Sequence, residues 1–331
     1  MIFGYALAVI AGFLFTAVRN WTAQPTPSGN LLAAYAALWV CGRILVLTPY
    51  TLASALVNAA FPFAVAAGIA VPLARAGNRR NYFFVALLAA CGVAELAFHL
   101  SLAGTFDGPA HPVLQGALDI VLFVIAVMAG RVVPMFTNNA IAGAGATRLA
   151  GLERAALGCV LAILVADLAR APAGVIAAIA AAGAVAHGAR LALWRPWRAL
   201  HAPLVWILHA SYAWIAIHFS LRSLAALDIV AEPLAIHALT IGAIGGMTIG
   251  MMTRTALGHS GRTLRAGGAE VACYLLVMAA AVVRVFGGLV LPGFYVATIV
   301  LSAACWSAAF ATYALTYWPV LTRPRVDGKP G

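Results

Sequence analysis

Three histidines and two carboxylates lie inside long apolar segments of this sequence, and these side chains could perform chemistry there. They are His99, His218, His237, Glu95 and Asp119. Imidazole nitrogens ligate haem iron and copper, and a carboxylate beside an imidazole orients it by accepting a hydrogen bond from the other ring nitrogen. Any one of the histidines could instead simply hydrogen-bond a neighbouring helix. Together they predict a haem or metal site, provided that the chain brings them to one level.

The composition indicates what kind of chain must position these residues. Of the 331 residues, 64% are hydrophobic and only 9% are charged, and the mean hydropathy is +0.99. Soluble domains carry about 25% charged residues. We therefore expect an all-α polytopic membrane protein surrounded by the lipid bilayer. Because an ionisable side chain costs about 2.5–3.5 kcal/mol at the centre of a bilayer, each one retained there is a functional candidate.

Eleven apolar segments, each about 17 residues or longer, predict membrane-spanning helices. They cover residues 2–18, 31–47, 50–74, 82–103, 113–130, 152–169, 173–194, 201–221, 233–253, 269–286 and 289–318. The loops between them are short and rich in Pro, Gly and Asn, so one transmembrane domain is expected over residues 1–331.

The basic residues predict how the helices are oriented. When the loops are assigned alternately to two sides, sixteen Arg and Lys residues fall on one side. The other side receives only Arg43, Arg170, Arg222 and Arg284. The positive-inside rule makes the richer side, which includes the carboxyl terminus, cytoplasmic. The net charge of +11 is thereby explained by the membrane. No nucleic-acid partner is expected, since no basic run is interleaved with exposed aromatic residues.

The same topology places Met1 within a span on the far side of the membrane. Neither a signal peptide nor a preceding helix would bring it there. We therefore expect that one amino-terminal helix is missing from this sequence and that the complete protein has twelve.

Helix direction and a rise of 1.5 Å per residue predict the depth of each candidate. Three histidines, His99, His218 and His237, lie about one turn from the outer ends of their helices, and Asp119 lies about two turns in. Glu95 is one turn from His99 on the same face. The predicted site is therefore in the outer third of the membrane.

Two further histidines belong to other levels. His209 is about 12 Å from the inner end of its helix, and His259 is placed in a basic inner loop. His237 and His259 are 22 residues apart, which is about 33 Å along a helix, so they cannot ligate the same metal ion. Between them Gly242, Gly246 and Gly250 form a stripe that suits close helix packing or, alternatively, a flat macrocycle.

An internal repeat relates two parts of the chain. The segment LAFHLSL (96–102) aligns with IAIHFSL (215–221), so that His99 falls on His218. MFTNNAIAG aligns likewise with MMTRTALGH. The repeats cover about 31–143 and 151–259, and residues 269–318 with 1–18 form a possible third unit of four helices.

Three four-helix parallel repeats resemble the core architecture of the haem-copper oxidases. In that family histidines on two particular helices bind copper. The equivalent helices here offer Asp119 and Asp167 and no histidine. Oxygen reduction by the oxidase mechanism is therefore not expected.

Several segments of the sequence resemble the signature blocks of the NnrS family. These are FGYALAVIAGFLFTAVRNWT, GRVVPMFTNNA, WRPWR with PLVWILHASYAW, HALTIGAIGGMTIGMMTRTALGHSGR and YWPVLTRPRVDGKPG. The resemblance implies a bacterial inner-membrane protein of about twelve helices that contains haem and copper. It also implies a link to nitric oxide, nitrosative stress and denitrification.

The resemblance also implies roles for individual residues. The family's histidines match His209, His237 and His259, and His99 corresponds as well. His218 lies outside the blocks, so the internal repeat alone supports it. We therefore expect haem ligands among the outer histidines and His209, and copper or another metal at His237, His99 or His259. Glu95 and Asp119 would orient the ligating imidazoles.

The sequence departs from the family pattern in two places. A His-Glu pair that usually precedes the equivalent of Met1 is absent, which agrees with a missing first helix and removes one expected ligand. TNNA stands at 137–140 where TRNA is expected.

Three functions remain open on the sequence alone. The first is a haem- and copper-binding membrane protein that responds to nitric oxide, either by converting it, with a possible membrane electron donor, or by limiting nitrosylation damage. The second is a transporter of a metal, haem or a small anion, and the third is a sensor or assembly factor. Whether the protein is an enzyme is left open.

Overall fold

The computed structural model describes residues 2–105 and 110–328, and these residues form helices and connecting loops without any strand. The eleven long helices are α1 (Ile2–Thr22), α2 (Gly29–Leu45), α3 (Thr51–Arg75), α4 (Phe83–Leu102), α5 (Ala110–Ala140), α6 (Ala150–Leu168), α7 (Ala173–Leu193), α8 (Pro203–Ala226), α9 (Glu232–His259), α10 (Gly268–Val290) and α11 (Tyr295–Leu321). Met1 and Lys329, on which the predicted topology partly rests, lie outside the described residues.

The prediction of an all-α polytopic membrane protein is confirmed. Each of the eleven predicted segments coincides with one helix, and in the described part of the chain nine helices are long and apolar enough to cross a membrane. The other two are α2, which has 17 residues, and α6, whose 19 residues include three charged side chains. The four-helix repeats and the oxidase-like architecture remain predictions.

Three helices continue at least five residues beyond the ends that the sequence predicted. α5 ends at Ala140 rather than 130, α8 at Ala226 rather than 221, and α9 at His259 rather than 253. Each predicted end was set just before an arginine, but an arginine in a last turn remains helical because its long stem carries the charge away from the apolar surface. His259 is accordingly the last residue of α9, and its placement in a loop was wrong.

Contacts divide the helices into two compact units. The first ends at Val124 within α5 and also includes Asp167–Ala169, and the second contains the remaining residues. In the first unit α3 packs against α1, α2 and α4. In the second unit α8 packs against α7 and α9, and α10 packs against α11.

Two stretches of π-helix interrupt the regular α-helices. One, Ile2–Ala6, opens α1, and the other, Ala238–Gly245, follows directly after His237 in α9. A π turn holds an extra residue and is frequently found at functional sites. The second stretch therefore makes the amino-terminal half of α9 a candidate functional segment.

Candidate functional site

His218 on α8 has the hydrogen bonding expected of a ligating imidazole. Its Nδ1 donates to the carbonyl of Ala235 on α9 at 2.8 Å. This bond fixes the tautomer, so the lone pair is on Nε2. The side chain is 1% exposed and Nε2 has no hydrogen-bond partner. A histidine that ligates a metal normally donates its other N–H to a carbonyl or carboxylate in this way.

His209, two and a half turns earlier on α8, is arranged similarly with its ring nitrogens exchanged. The hydroxyl of Thr137 donates to the carbonyl of Val133 at 2.8 Å, and its oxygen is 2.8 Å from Nε2 of His209. Because the hydroxyl proton is already used, Nε2 is the donor and the lone pair lies on Nδ1. Nδ1 is buried without a partner.

His187 on α7 is buried too, but its lone pair is engaged. Its Nδ1 lies 2.7 Å from the hydroxyl of Tyr212, which accepts a hydrogen bond of 2.8 Å from Nη1 of Arg190. The phenol then donates its proton to Nδ1, so Nε2 carries the ring proton and is buried without a partner. The ring stacks on Phe219 with centroids 5.2 Å apart. His187 is thus a structural residue, in contrast to His218 and His209.

A buried ion pair supports this part of α7. Nε and Nη2 of Arg190 donate to the two carboxylate oxygens of Glu153 at 2.8 and 2.6 Å, and Nη1 also donates to the carbonyl of Ala126 at 2.9 Å. The guanidinium lies 5.1 Å from the centroid of the Trp194 ring. A Cβ at Gly130 would overlap this guanidinium, so α5 requires glycine at that position.

Arg190 is one of the sixteen basic residues assigned to the inner side, but its pairing with Glu153 was not predicted. One signal was available, since Arg190 follows His187 by three residues inside an apolar run and therefore shares its face.

His237 is the residue at which α9 changes from α- to π-helix, and it is half-buried. The bond from His218 to Ala235 ties α8 to α9 two residues before His237. Since residues two apart on a helix face different directions, this bond does not bring the two imidazoles together. His209 is nine residues from His218, about 14 Å along α8, so it belongs to another level, as predicted.

The glycine stripe of α9 is covered by side chains of α8. A Cβ at Gly242 would meet the ring of Trp214, and one at Gly246 would meet the hydroxyl of Ser211. At Gly250 it would lie 2.9 Å from Ile207. The stripe is therefore a helix-packing surface, and a flat macrocycle has no room against it.

In the first unit Glu95 is 1% exposed and belongs to a polar cluster built from three helices. Its Oε1 is 3.4 Å from Nη2 of Arg43, which also contacts Oδ1 of Asn58, while Oε2 has no hydrogen-bond partner. The amide of Asn58 is held by the carbonyls of Ser54 and Gly42 at 2.8 and 3.1 Å. Glu95 therefore has a cationic partner that the sequence analysis did not identify.

Two other predicted residues of the first unit are His99 and Asp119. His99 is half-buried near the end of α4, and Asp119 on α5 is fully buried with Oδ1 accepting from Gln115 at 3.2 Å. His218 and His237 belong to the second unit. The common level of these four residues therefore stays a prediction.

The side chain of His259 is exposed, and the residue accepts a hydrogen bond through its backbone carbonyl. Its carbonyl accepts from Nη1 of Arg325 at 2.7 Å, and the amide of Val326 donates to the carbonyl of Ser260 at 3.1 Å. The carboxylate of Asp327 binds Arg325 through both oxygens and raises the pKa of that guanidinium. The carboxyl-terminal tail is thus attached to the end of α9.

Within the part of the chain that the structure describes, no three His, Cys, Asp or Glu side chains converge as a metal site requires. Haem needs less from the protein, since one or two axial histidines are sufficient. The unpartnered nitrogens of His218 and His209 fit that requirement.

Comparison with known proteins agrees with the resemblance found in the sequence. No match was found among curated proteins. The family model described as NnrS protein matches residues 1–325. Because this match covers nearly all of the 331 residues, the chain is a member of the NnrS family.

Proposed function

We propose that this membrane protein binds haem and copper in the bacterial inner membrane and acts there on nitric oxide or in protection against nitrosative stress. The observation that carries the proposal is His218, a buried imidazole whose Nδ1 is held by the Ala235 carbonyl and whose Nε2 has no partner. Leaving a buried polar atom unpaired costs about 1–3 kcal/mol, so a ligand at Nε2 would remove a penalty that the protein alone must bear.

Haem iron and cuprous copper both bind nitric oxide, and the apolar gas concentrates in the bilayer. The residues themselves would bind and orient the group. His218 would hold haem through Nε2, and His209, about 14 Å away along α8, would hold a separate haem through Nδ1. His237 is a further candidate ligand on the basis of family membership. Copper at His237, His99 or His259 rests on family membership, and a membrane electron donor is proposed on the same basis.

The test is spectroscopy on the purified full chain and three variants. We expect the wild type to show a Soret band that shifts when nitric oxide is added. His218→Ala and His209→Ala should each lower the haem-to-protein ratio about twofold, because each would remove the imidazole that holds one of the two haem groups. His201→Ala is the matched control, since His201 is an exposed loop histidine, and it should retain full haem content.

Copper is measured by elemental analysis of the same preparations. A wild-type protein that contains no haem, and whose absorption spectrum does not change when nitric oxide is added, would overturn the proposal. Metal uptake by proteoliposomes of such a preparation would favour the transporter instead.

A further inference from the structure

An exposed basic surface lies on the two loops that join α5 to α6 and α7 to α8. It consists of Arg148 on the first loop and Arg195 and Arg198 on the second, all exposed. The amide of Thr147 donates to the carbonyl of Leu193 at 3.0 Å, which ties the loops together. Since both loops connect ends of long apolar helices, this surface is at the membrane boundary.

The first loop contains a glycine turn, in which Gly143 and Gly145 flank the buried Ala144. Gly143 and Gly145 have φ of 69° and 65°, in the left-handed region that glycine adopts at no steric cost. Asn138 fixes the turn through two bonds of 2.9 Å to the backbone of Ala146. Asn138 replaces the arginine expected from the family pattern, and an arginine has no acceptor with which to form this pair.

Two guanidinium groups lie against this turn. Nη1 of Arg198 donates to the carbonyl of Gly143 at 3.4 Å, and Cζ of Arg195 is 3.6 Å from the position of a Cβ at Gly145. Planar guanidinium groups suit phosphate oxygens because they donate two parallel hydrogen bonds. Neither Arg195 nor Arg198 forms an ion pair among the described residues, so their charge is available to a ligand.

Glu153, the carboxylate that pairs with Arg148, does not neutralise the surface. Glu153 uses both oxygens on Arg190, and it is 3.3 Å from Arg148. The single negative charge of Glu153 is therefore already outweighed by the two positive charges of Arg190 and Arg148. Arg195 and Arg198 add two more. The surface keeps a positive charge that attracts an anion.

Exposed apolar side chains border the basic surface. Trp197, between the two arginines in sequence, is 58% exposed, and Leu200 and Leu149 are 66% and 61% exposed. Tryptophan is enriched where headgroups meet acyl chains. A soluble anion would leave these apolar groups in water, whereas a phospholipid covers them.

We propose that this surface binds the phosphate headgroup of an anionic phospholipid. Arg195 and Arg198 bind the phosphate oxygens over the glycine turn, and Trp197 packs against the glycerol and upper acyl chain. The proposal depends only on the protein being in a membrane, and not on haem, copper or nitric oxide.

The test is native mass spectrometry of the detergent-purified full chain with added dioleoyl-phosphatidylglycerol. Each basic residue near an anionic surface contributes about fivefold, so we expect Arg195→Gln/Arg198→Gln to weaken binding roughly thirtyfold. The matched control is Arg79→Gln/Arg80→Gln, which removes the same charge from exposed positions on the loop between α3 and α4. It should bind the lipid as the wild type does, and dioleoyl-phosphatidylcholine should bind weakly to every variant.

Equal losses in both double variants would indicate a general effect of surface charge and would overturn the site. Displacement of the lipid by inorganic phosphate at equal concentration would also overturn it, in favour of a soluble anion. Circular dichroism checks that the variants fold. A second measurement needs no arginine variant. Brominated phosphatidylglycerol should quench the tryptophan fluorescence of the wild type more than that of Trp197→Phe, and equal quenching would contradict the proposal.

Discussion

At the scale of single residues, Arg190 shows how a membrane helix accommodates a buried charge. The side chain is 1% exposed, yet donors on all three of its nitrogens are bonded: Glu153 receives two, and Tyr212 and the Ala126 carbonyl share Nη1. A bidentate pair of this kind offsets desolvation only while both partners are present. The same guanidinium orients the Tyr212 hydroxyl towards His187, which is why that histidine is not a free ligand.

We therefore predict that Glu153→Gln destabilises the protein by about 3–5 kcal/mol, because it leaves the Arg190 charge buried beside a neutral partner. The measurement is the thermal unfolding midpoint of the detergent-solubilised protein. Arg154→Gln is the control: Arg154 is the next residue, is exposed, and bonds only the Ala150 carbonyl, at 3.4 Å. A change within about 0.5 kcal/mol is expected there. If both substitutions have the same effect, the pair is not what stabilises α7.

At the scale of helices, the sequence predicted every long element because a span must be apolar over some 20 residues and close its own hydrogen bonds. It did not predict where α5, α8 and α9 end, since a charged residue in a last turn is compatible with both a helix and a loop. The π stretch Ala238–Gly245 was also not predicted. Apolar periodicity does not distinguish one extra residue in a turn from a regular helix.

The packing of α9 on α8 leads to a second prediction. Gly242→Ala adds a Cβ that would overlap ring atoms of Trp214. The Trp214 side chain is 5% exposed and has little room to move. Overpacking of this kind costs about 1–3 kcal/mol. Gly188→Ala on α7 is the control, because nothing lies within 4 Å of its Cβ position and alanine is the better helix former.

The unfolding midpoint of both variants checks this, together with those of Trp214→Leu and of the double variant Gly242→Ala/Trp214→Leu. The smaller side chain should restore part of the lost stability, since the two changes concern the same contact. A double variant that is no more stable than the sum of the single changes would show that Trp214 is not the obstacle.

At the scale of the whole molecule, the sequence predicts a depth for each candidate ligand but does not predict which side chains it contacts. Depth follows from helix direction and rise, so His209 and His218 were assigned to different levels of α8. The rotation of each helix, which decides what a side chain faces, depends on packing against neighbours. For that reason the bonds from His218 to Ala235 and from His209 to Thr137, and the pairing of Arg43 with Glu95, were found only in the structure.

Orientation in the membrane is the remaining consequence of the sixteen-to-four charge distribution, and the two ends of α9 provide its test. We expect Arg265→Cys, in the exposed loop after α9, to face the cytoplasm, and Asp228→Cys, in the exposed loop before it, to face outwards. Each is introduced into a chain whose five cysteines are replaced by alanine. An impermeant maleimide should label Asp228→Cys in intact cells and Arg265→Cys only after the membrane is opened. The reverse pattern would invert the topology and place the tail outside, whereas labelling of both in intact cells would mean that α9 does not cross the membrane.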